Sequence, residues 1–201
     1  MNDKFISGIL VLALGSMACG FSVDLPTQRE AGPDVEETIS VEVPDSDETR
    51  LSLSFGAGEL KLSSGSKNLV DGTALYNVAD FKPEIIEDGA DITIKQGDFD
   101  GIPLFDNMKN LWDLQLGKAP MDLVIEAGAY EGTLDLGGLS LKSLTVNDGA
   151  ADVELSFTQP NLVEMSQFTY TTGASEVKME GLANANFKTF VFNGGAGDYT
   201  L

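Results

Sequence analysis

The chain has no histidine, a single cysteine, one tryptophan and few cations among its 201 residues. Without histidine it has no imidazole for general acid–base work, for Ser-His-Asp or Cys-His nucleophile systems, or for metal ligation. One cysteine, Cys19, excludes an intramolecular disulfide and argues against a zinc–thiolate site. The only arginines are Arg29 and Arg50, so the segment after Thr49 holds one, at its edge. The planar fork best suited to clamping phosphate or carboxylate is therefore nearly missing. There are 12 Lys+Arg against 32 Asp+Glu, a formal net charge of −20. Such a balance repels polyanions, so no nucleic-acid partner is expected.

Glycine, by contrast, is abundant at 22 residues, and Val, Ile, Leu, Phe and Thr are frequent. That mixture suits many short strands separated by tight turns. Aromatics make up 8% of the chain.

The first twenty residues follow a secretory plan. Met1 to Lys4 is a short polar start with one cation, and Phe5 to Leu14 is an apolar run too short to span a bilayer comfortably. Gly15-Ser16-Met17-Ala18 then supplies small residues before Cys19. This arrangement resembles the lipobox of bacterial lipoproteins, with one departure: Ser16 stands where the motif usually has Leu. The resemblance implies a signal peptide over 1–18 and lipidation of Cys19, which becomes the mature N-terminus. Acyl chains stabilise attachment by about 0.8 kcal/mol per buried CH₂, so several on one residue would anchor firmly. No later stretch is apolar and long enough to cross a membrane, so the expected protein is tethered and extracytoplasmic, in a bacterial envelope.

Residues 19–49 read as an acidic linker. Between Asp24 and Glu48, nine carboxylates meet one cation, with Pro26, Pro33 and Pro44 interspersed. Like charge, low hydrophobicity and proline favour an extended, solvated spacer. Ile39-Ser40-Val41-Glu42-Val43 alternates and is expected to form an edge strand opening the following domain.

From residue 50 onward a motif recurs: alternating apolar residues, a Gly-Ala turn, a small or acidic residue, then more alternation. It occurs at Leu51–Leu62, around Ile85–Ile94, and then at Val124–Ala129, Thr145–Ala150, Thr169–Ala174 and Val191–Ala196. The last four turn glycines, Gly128, Gly149, Gly173 and Gly195, are 21, 24 and 22 residues apart. Alternation at period two turns one side of each strand inward. A glycine at every corner permits positive φ. A repeat of this length without intervening helices predicts an all-β, single-domain β-solenoid over 50–201, with coils of roughly 20–24 residues stacked in parallel. Residues 103–117 depart from the pattern. A short helical turn near 104–110 followed by a strand is expected there, with Trp112 in the core.

Several segments also resemble a known group: Asn110-Leu111-Trp112-Asp113-Leu114-Gln115-Leu116, the Gly-Ala turns, Pro160-Asn161-Leu162-Val163-Glu164, Gly181-Leu182-Ala183-Asn184-Ala185-Asn186-Phe187 and Gly195-Ala196-Gly197-Asp198-Tyr199-Thr200-Leu201. They are similar to the bacterial toast-rack family of envelope β-solenoids, related to adhesin-like and cell-wall-active antibiotic-response domains. The resemblance covers about residues 50–201 and implies an envelope β-solenoid, with no biochemical activity to carry over. In that family further coils commonly follow the last segment, so a shortened or truncated chain is the expectation at Leu201.

Motifs with chemistry are few. Ser64-Gly65-Ser66-Lys67 has the Ser-x-x-Lys spacing of penicillin-recognising enzymes but lacks their helical setting and partner motifs, and reads as a solvated turn. Gly97-Asp98-Phe99-Asp100-Gly101 and Asn147-Asp148-Gly149 could offer oxygens to calcium. Lys109 stands where a full loop wants Glu, so Asx-type turns are expected instead. No catalytic, cofactor or metal residue is assigned. The expected role is a non-enzymatic, membrane-anchored surface lipoprotein serving adhesion, envelope stress or scaffolding, with an unidentified protein or cell-wall glycan as partner. The alternative is a carbohydrate-active enzyme or glycan-binding module using surface carboxylates, which as an enzyme needs a cleft with two facing carboxyl groups.

Overall fold

The computed structural model describes residues 31–46, 48–97 and 108–201. Ten strands make up nearly all regular structure: β1 (Val35–Val41), β2 (Thr49–Ser64), β3 (Val70–Tyr76), β4 (Pro83–Asp88), β5 (Asp91–Gln96), β6 (Asn110–Leu116), β7 (Met121–Asp135), β8 (Leu141–Ser156), β9 (Gln167–Glu180) and β10 (Phe190–Thr200). Two short 3-10 turns, Ala79–Phe81 and Leu182–Asn184, accompany them. The protein is all-β, as its composition and alternation predict. The signal peptide over 1–18, Cys19 and the first part of the linker lie outside the described residues.

The strands form one sheet in the order β1-β3-β6-β2-β7-β8-β9-β10. From β2 to β10 the pairing is parallel, and its register follows the sequence repeat: Leu123 lies against Leu144, Leu144 against Phe168, and Phe168 against Phe190. Each of these strands is long because it runs through its Gly-Ala corner without losing its neighbours. Period-two alternation then lines up side chains in columns. Before the corner, Leu51, Leu123, Leu144, Phe168 and Phe190 form one inward column, with Leu53, Ile125, Val146, Tyr170 and Phe192 as the next. After the corner, Leu62, Leu134, Leu155 and Met179 form another. All but Phe190 and Phe192 in the last strand are buried. Burial of each such side chain contributes about 1.5–3 kcal/mol, so this interior dominates stability.

The corner glycines behave differently from the sequence expectation. Positive φ is not what selects them: Gly128, Gly149, Gly173 and Gly195 all keep negative φ or extended backbone. They are selected by contact. A Cβ on Gly173 would stand 2.3 Å from the carbonyl oxygen of Gly149, and one on Gly195 would stand 2.2 Å from that of Gly173. Gly128 meets Gly56 at 2.3 Å in the same way. The glycines stack backbone on backbone, and no side chain fits between rungs. Gly58, with φ +131°, is a corner position where backbone conformation itself favours glycine.

Ile85–Ile94 is a further correction. The sequence pattern reads it as one more copy of the motif, but β4 and β5 form an antiparallel hairpin in which Asp88 faces Asp91. Gly89, at φ +62°, lets the chain reverse there rather than bend. Only Ile92 and Ile94 enter the core, while Ile85 and Ile86 stay exposed.

The N-terminal end of the parallel ladder is closed by mixed strands. β5 pairs with residues 50–54 of β2, and β6 pairs with residues 59–64. β3 then runs antiparallel to β6, and β1 antiparallel to β3. β1 overlaps the expected edge strand only at residues 39–41, beginning earlier, at Val35, and ending at Val41, so the sheet reaches into the segment read as linker. Its carboxylates tolerate this because they stay at the surface, where Glu37 finds partners. The Tyr76 hydroxyl donates to Glu37 at 3.1 Å, and Lys82 lies 3.4 Å from the same side chain. Of the helical turn expected near 104–110, residues 104–107 lie outside the described residues, and Asn110 already opens β6. Trp112 is fully buried, edge-on to Phe55 with ring centroids 5.1 Å apart.

The Pro160-Asn161-Leu162 corner is fixed by a buried amide. Asn161 Oδ1 accepts from the Leu141 N–H at 2.8 Å, and Nδ2 donates to the Leu141 carbonyl at 2.9 Å and to that of Val163 at 2.8 Å. One side chain thus satisfies backbone groups on two successive rungs, as buried polar groups require.

Gly173→Ala tests the stacking claim. The added methyl has to push two rungs apart, and overpacking of this kind costs about 1–3 kcal/mol. Urea denaturation should show that loss, whereas Ala174→Gly, one residue along at an exposed position, should leave the unfolding free energy within about 1 kcal/mol of the original.

Candidate functional site

Because the inward columns are apolar and buried, the surface that the parallel ladder presents is made of the outward ones. They form two faces that join along the glycine corner. Before the corner, Ser52, Val124, Thr145, Thr169 and Val191 share one column, with Ser54, Glu126, Asn147, Thr171 and Asn193 as the next. Hydroxyls, amides and two valines cover this face, and Glu126 is the only charge in the ten positions.

The face after the corner is different. Glu59, Glu131, Asp152, Glu176 and Asp198 pair rung by rung and are all exposed. Adjacent parallel strands lie about 4.8 Å apart, so five carboxylates stand in a line at that spacing. Like charges directly opposite each other destabilise a sheet. Beside them run Lys61, Thr133, Glu154, Lys178 and Thr200. Lys61 reaches Glu59 at 3.6 Å and Lys178 reaches Glu180 at 3.0 Å, exposed pairs that offset little of the repulsion. The pattern was open to view in the sequence: an acid stands three residues after each of Gly56, Gly128, Gly149, Gly173 and Gly195. Recognising it as a column requires the register of the rungs.

One hollow of about 300 Å³ is lined by Gly32, Pro33, Val35, Tyr76, Val78 and Lys82, among others, and carries no carboxylate. Another, of about 100 Å³, lies on the acidic face beside Glu154, Lys178 and Glu180. It is smaller than the few hundred Å³ typical of ligand pockets. The second is lined by two carboxylates, Glu154 and Glu180, with Lys178 paired to Glu180. Among the described residues no group of three Asp, Glu, His or Cys side chains converges to hold a metal ion.

The motifs singled out by sequence that fall among the described residues have structural explanations. Ser64 ends β2, and the residues after it are irregular rather than helical. The Ser66 hydroxyl donates to Asp71 at 2.6 Å, Asn68 Nδ2 donates to the same carboxylate at 2.9 Å, and Ser40 donates at 2.8 Å. These hydrogen bonds, that of Ser66 foremost, lower the Asp71 pKa to about 2. Asp98 to Gly101 lie outside the described residues. Asn147-Asp148-Gly149 forms no Asx turn but continues β8 through its corner, because the strand does not stop there. Asp148 instead accepts the buried Tyr170 hydroxyl at 2.6 Å. Thr172 donates to Ser175 at 2.6 Å, and Ser175 Oγ accepts from the Ala151 N–H at 2.9 Å, lining the inner corner with polar groups. Burial pushes the Tyr130 and Tyr170 phenols up, assisted at Tyr130 by the Asp148 charge and at Tyr170 by Tyr130 and by the hydrogen bond to Asp148. Both stay protonated and serve as packing groups with polar tips. Cys19 lies outside the described residues.

Two measurements check these assignments. The Asp71 carboxylate, followed by NMR, should titrate near pH 2, and Ser66→Ala should move its midpoint up toward the ordinary value of about 3.9. Because the folded pKa is the lower one, the stabilisation by this carboxylate is present above about pH 4 and is lost as pH falls toward 2. In the acidic column, Asp152→Asn removes a charge flanked by Glu131 and Glu176. The melting temperature should rise, and the gain should shrink as salt screens the column.

Among curated proteins, none matches the chain with significance. Among solved structures, a candidate cell adhesion protein from Clostridium sporogenes ATCC 15579 is similar, with a TM-score of 0.75 and 21% identity, covering 84% of this chain and 98% of that one. It has the same fold. A candidate adhesin from Bacteroides fragilis NCTC 9343 matches over 88% of this chain and 99% of its own at 11% identity, with a TM-score of 0.33 that is too low to bear on the fold. The family model for the N-terminal domain of toast_rack, DUF2154, matches residues 30–166. A match over that much of the sequence, on a sheet whose rungs repeat as the toast-rack resemblance implies, places the chain in the toast_rack N-terminal domain family.

Proposed function

We propose that this protein is a non-enzymatic, lipid-anchored module of the bacterial cell envelope, whose parallel ladder winds as a β-solenoid and binds an envelope polymer or protein along its outer faces. The observation that carries this reading is the register of β2, β7, β8, β9 and β10, which holds outward residues of five rungs in straight columns. At about 4.8 Å per rung the columns span roughly 19 Å, a length suited to repeating ligands rather than to one small molecule. Similarity to a candidate cell adhesion protein supports a surface role. The secretory plan of residues 1–18 and the position of Cys19 support anchoring by lipid.

Charge chooses between the two faces. The acidic column and the net charge of −20 oppose anionic polymers. The face bearing Thr145, Thr169, Thr171 and Asn147 is nearly uncharged and offers hydroxyl and amide groups at regular spacing. Neutral cell-wall glycan is the ligand that this face fits best, through hydrogen bonds at many weak points. Catalysis would need a cleft to exclude water and to face two carboxyl groups, and this surface is open.

Immobilised full-length chain should retain purified cell-wall glycan saturably. Replacing exposed Asn147 and Thr171 together by Glu should weaken retention by about tenfold, equivalent to about 1.4 kcal/mol, without changing the fold. Glycan that is not retained, or retention indifferent to both substitutions, would remove this reading. Radiolabelled palmitate incorporation into the wild type but not into Cys19→Ser tests the anchor.

A further inference from the structure

We propose that the glycan-binding face extends past the parallel ladder onto the β4–β5 hairpin, so that one unbranched neutral chain lies across six strands, perpendicular to them. This extent rests on the glycan reading above and adds to it the direction of the chain and a hairpin half of the site. Register makes the track continuous. Ile86 pairs with Thr93, Thr93 with Ser52, Ser52 with Val124, Val124 with Thr145, and Thr145 with Thr169. These positions point outward, since Ile92 and Ile94 beside Thr93 are buried, as Leu51 and Leu53 are beside Ser52. At about 4.8 Å between strands the track is roughly 24 Å long.

No position in the track is charged, in a chain whose net charge is −20. The columns beside it are different. Asp88, Asp91 and Asp122 stand on one side, and Glu84 and Glu126 on the other, with Arg50 and Lys95 as the only cations among them. They are two residues away, about 7 Å, so the uncharged track is about one polymer chain wide. The sheet itself does not impose this. On the face after the corner, the corresponding middle column carries Asp113, Lys61, Glu154 and Lys178.

Side-chain chemistry indicates what lies there. Every track residue except Ser52 is β-branched and therefore stiff at χ1, so its methyl or hydroxyl is set before a ligand arrives. That lowers the ordering cost of binding. The methyl groups suit the C–H face of a sugar ring, and the Thr and Ser hydroxyls can exchange hydrogen bonds with sugar hydroxyls. An anionic polymer would instead meet the flanking carboxylates. Ile86, 47% exposed, is the apolar contact at the hairpin end, whereas Ile85 beside it pairs with the buried Ile94 on the inward side. An extended β-1,4-linked glycan advances by roughly one strand spacing per sugar, so about six sugars cover the track.

Calorimetric titration of the full chain with β-1,4-linked N-acetylglucosamine oligomers of increasing length tests this. Affinity should rise with each added sugar until the track is covered, and then level off. Ile86→Glu should lower affinity for the longest oligomers by about tenfold and leave the shortest, which fit on β8 and β9, unaffected. Ile86→Thr, which keeps an uncharged β-branched side chain, should bind every length as the wild type does. Circular dichroism should show both variants folded, since Ile86 is exposed. Long oligomers bound equally well by Ile86→Glu would overturn the hairpin half and leave the glycan reading standing. A loss of the same size for short and long oligomers would also overturn it, because the effect then lies in the hairpin's folding. If the wild type binds none of them, the glycan reading falls, and this extent with it.

Discussion

The contact of glycine on glycine at the corner governs this structure. Where Gly173 lies over Gly149, and Gly149 over Gly128, the backbones approach too closely for any side chain. A rung that slipped by one residue would bring an alanine into that contact and turn its leucines outward. The corner thus fixes register locally, and every column on either side inherits it. Hydrophobic burial supplies most of the free energy, but it would accept other alignments of Leu, Val and Phe far more readily than the glycine stack does.

Fixed register has consequences at both ends. A parallel strand needs a neighbour for its outer N–H and C=O groups, and β2 has two, each serving half its length. The division falls at Gly56-Ala57-Gly58, where Gln96 reaches across. Its Oε1 accepts from the Gly56 N–H at 3.0 Å and from Asn110 Nδ2 at 2.8 Å, and Asn110 also donates to the Ala57 carbonyl at 2.7 Å. Two amide side chains thereby do at this corner what a continuing backbone does at the others. Behind them Phe55 packs edge to face against both Trp112 and Tyr130.

Much of this was legible in the sequence, for a physical reason. A repeat of 21 to 24 residues marks positions that must be equivalent in space, and period-two alternation says which side of each strand is buried. Hence strands β7 to β10, their inward residues and the burial of Trp112 could all be read directly. Conformation at the corner could not. Glycine serves equally for positive φ and for close approach, and only coordinates tell the two apart. The Ile85–Ile94 hairpin was misread for a related cause: Asp88-Gly89-Ala90-Asp91 has the letters of a corner, but a left-handed Gly89 reverses the chain. The candidate faces were half legible. The acid three residues after each turn glycine is a local regularity, whereas its meaning as a line of like charges depends on pairing between residues more than twenty positions apart.

That line of charges also says where adaptation can act. Inward positions are constrained by packing and corner positions by backbone contact, so substitutions there cost stability. Outward positions touch solvent and one neighbour above and below, and changing them alters the surface while sparing the scaffold. A column of five carboxylates persists against its own repulsion on a sheet that would be more stable without it. The face across the corner, with Glu126 as the one charge in the ten ladder positions of its two columns, shows that the fold does not require such a column. Surface chemistry in this protein is therefore set rung by rung and independently of the core, with the glycine stack keeping every rung's contribution in line.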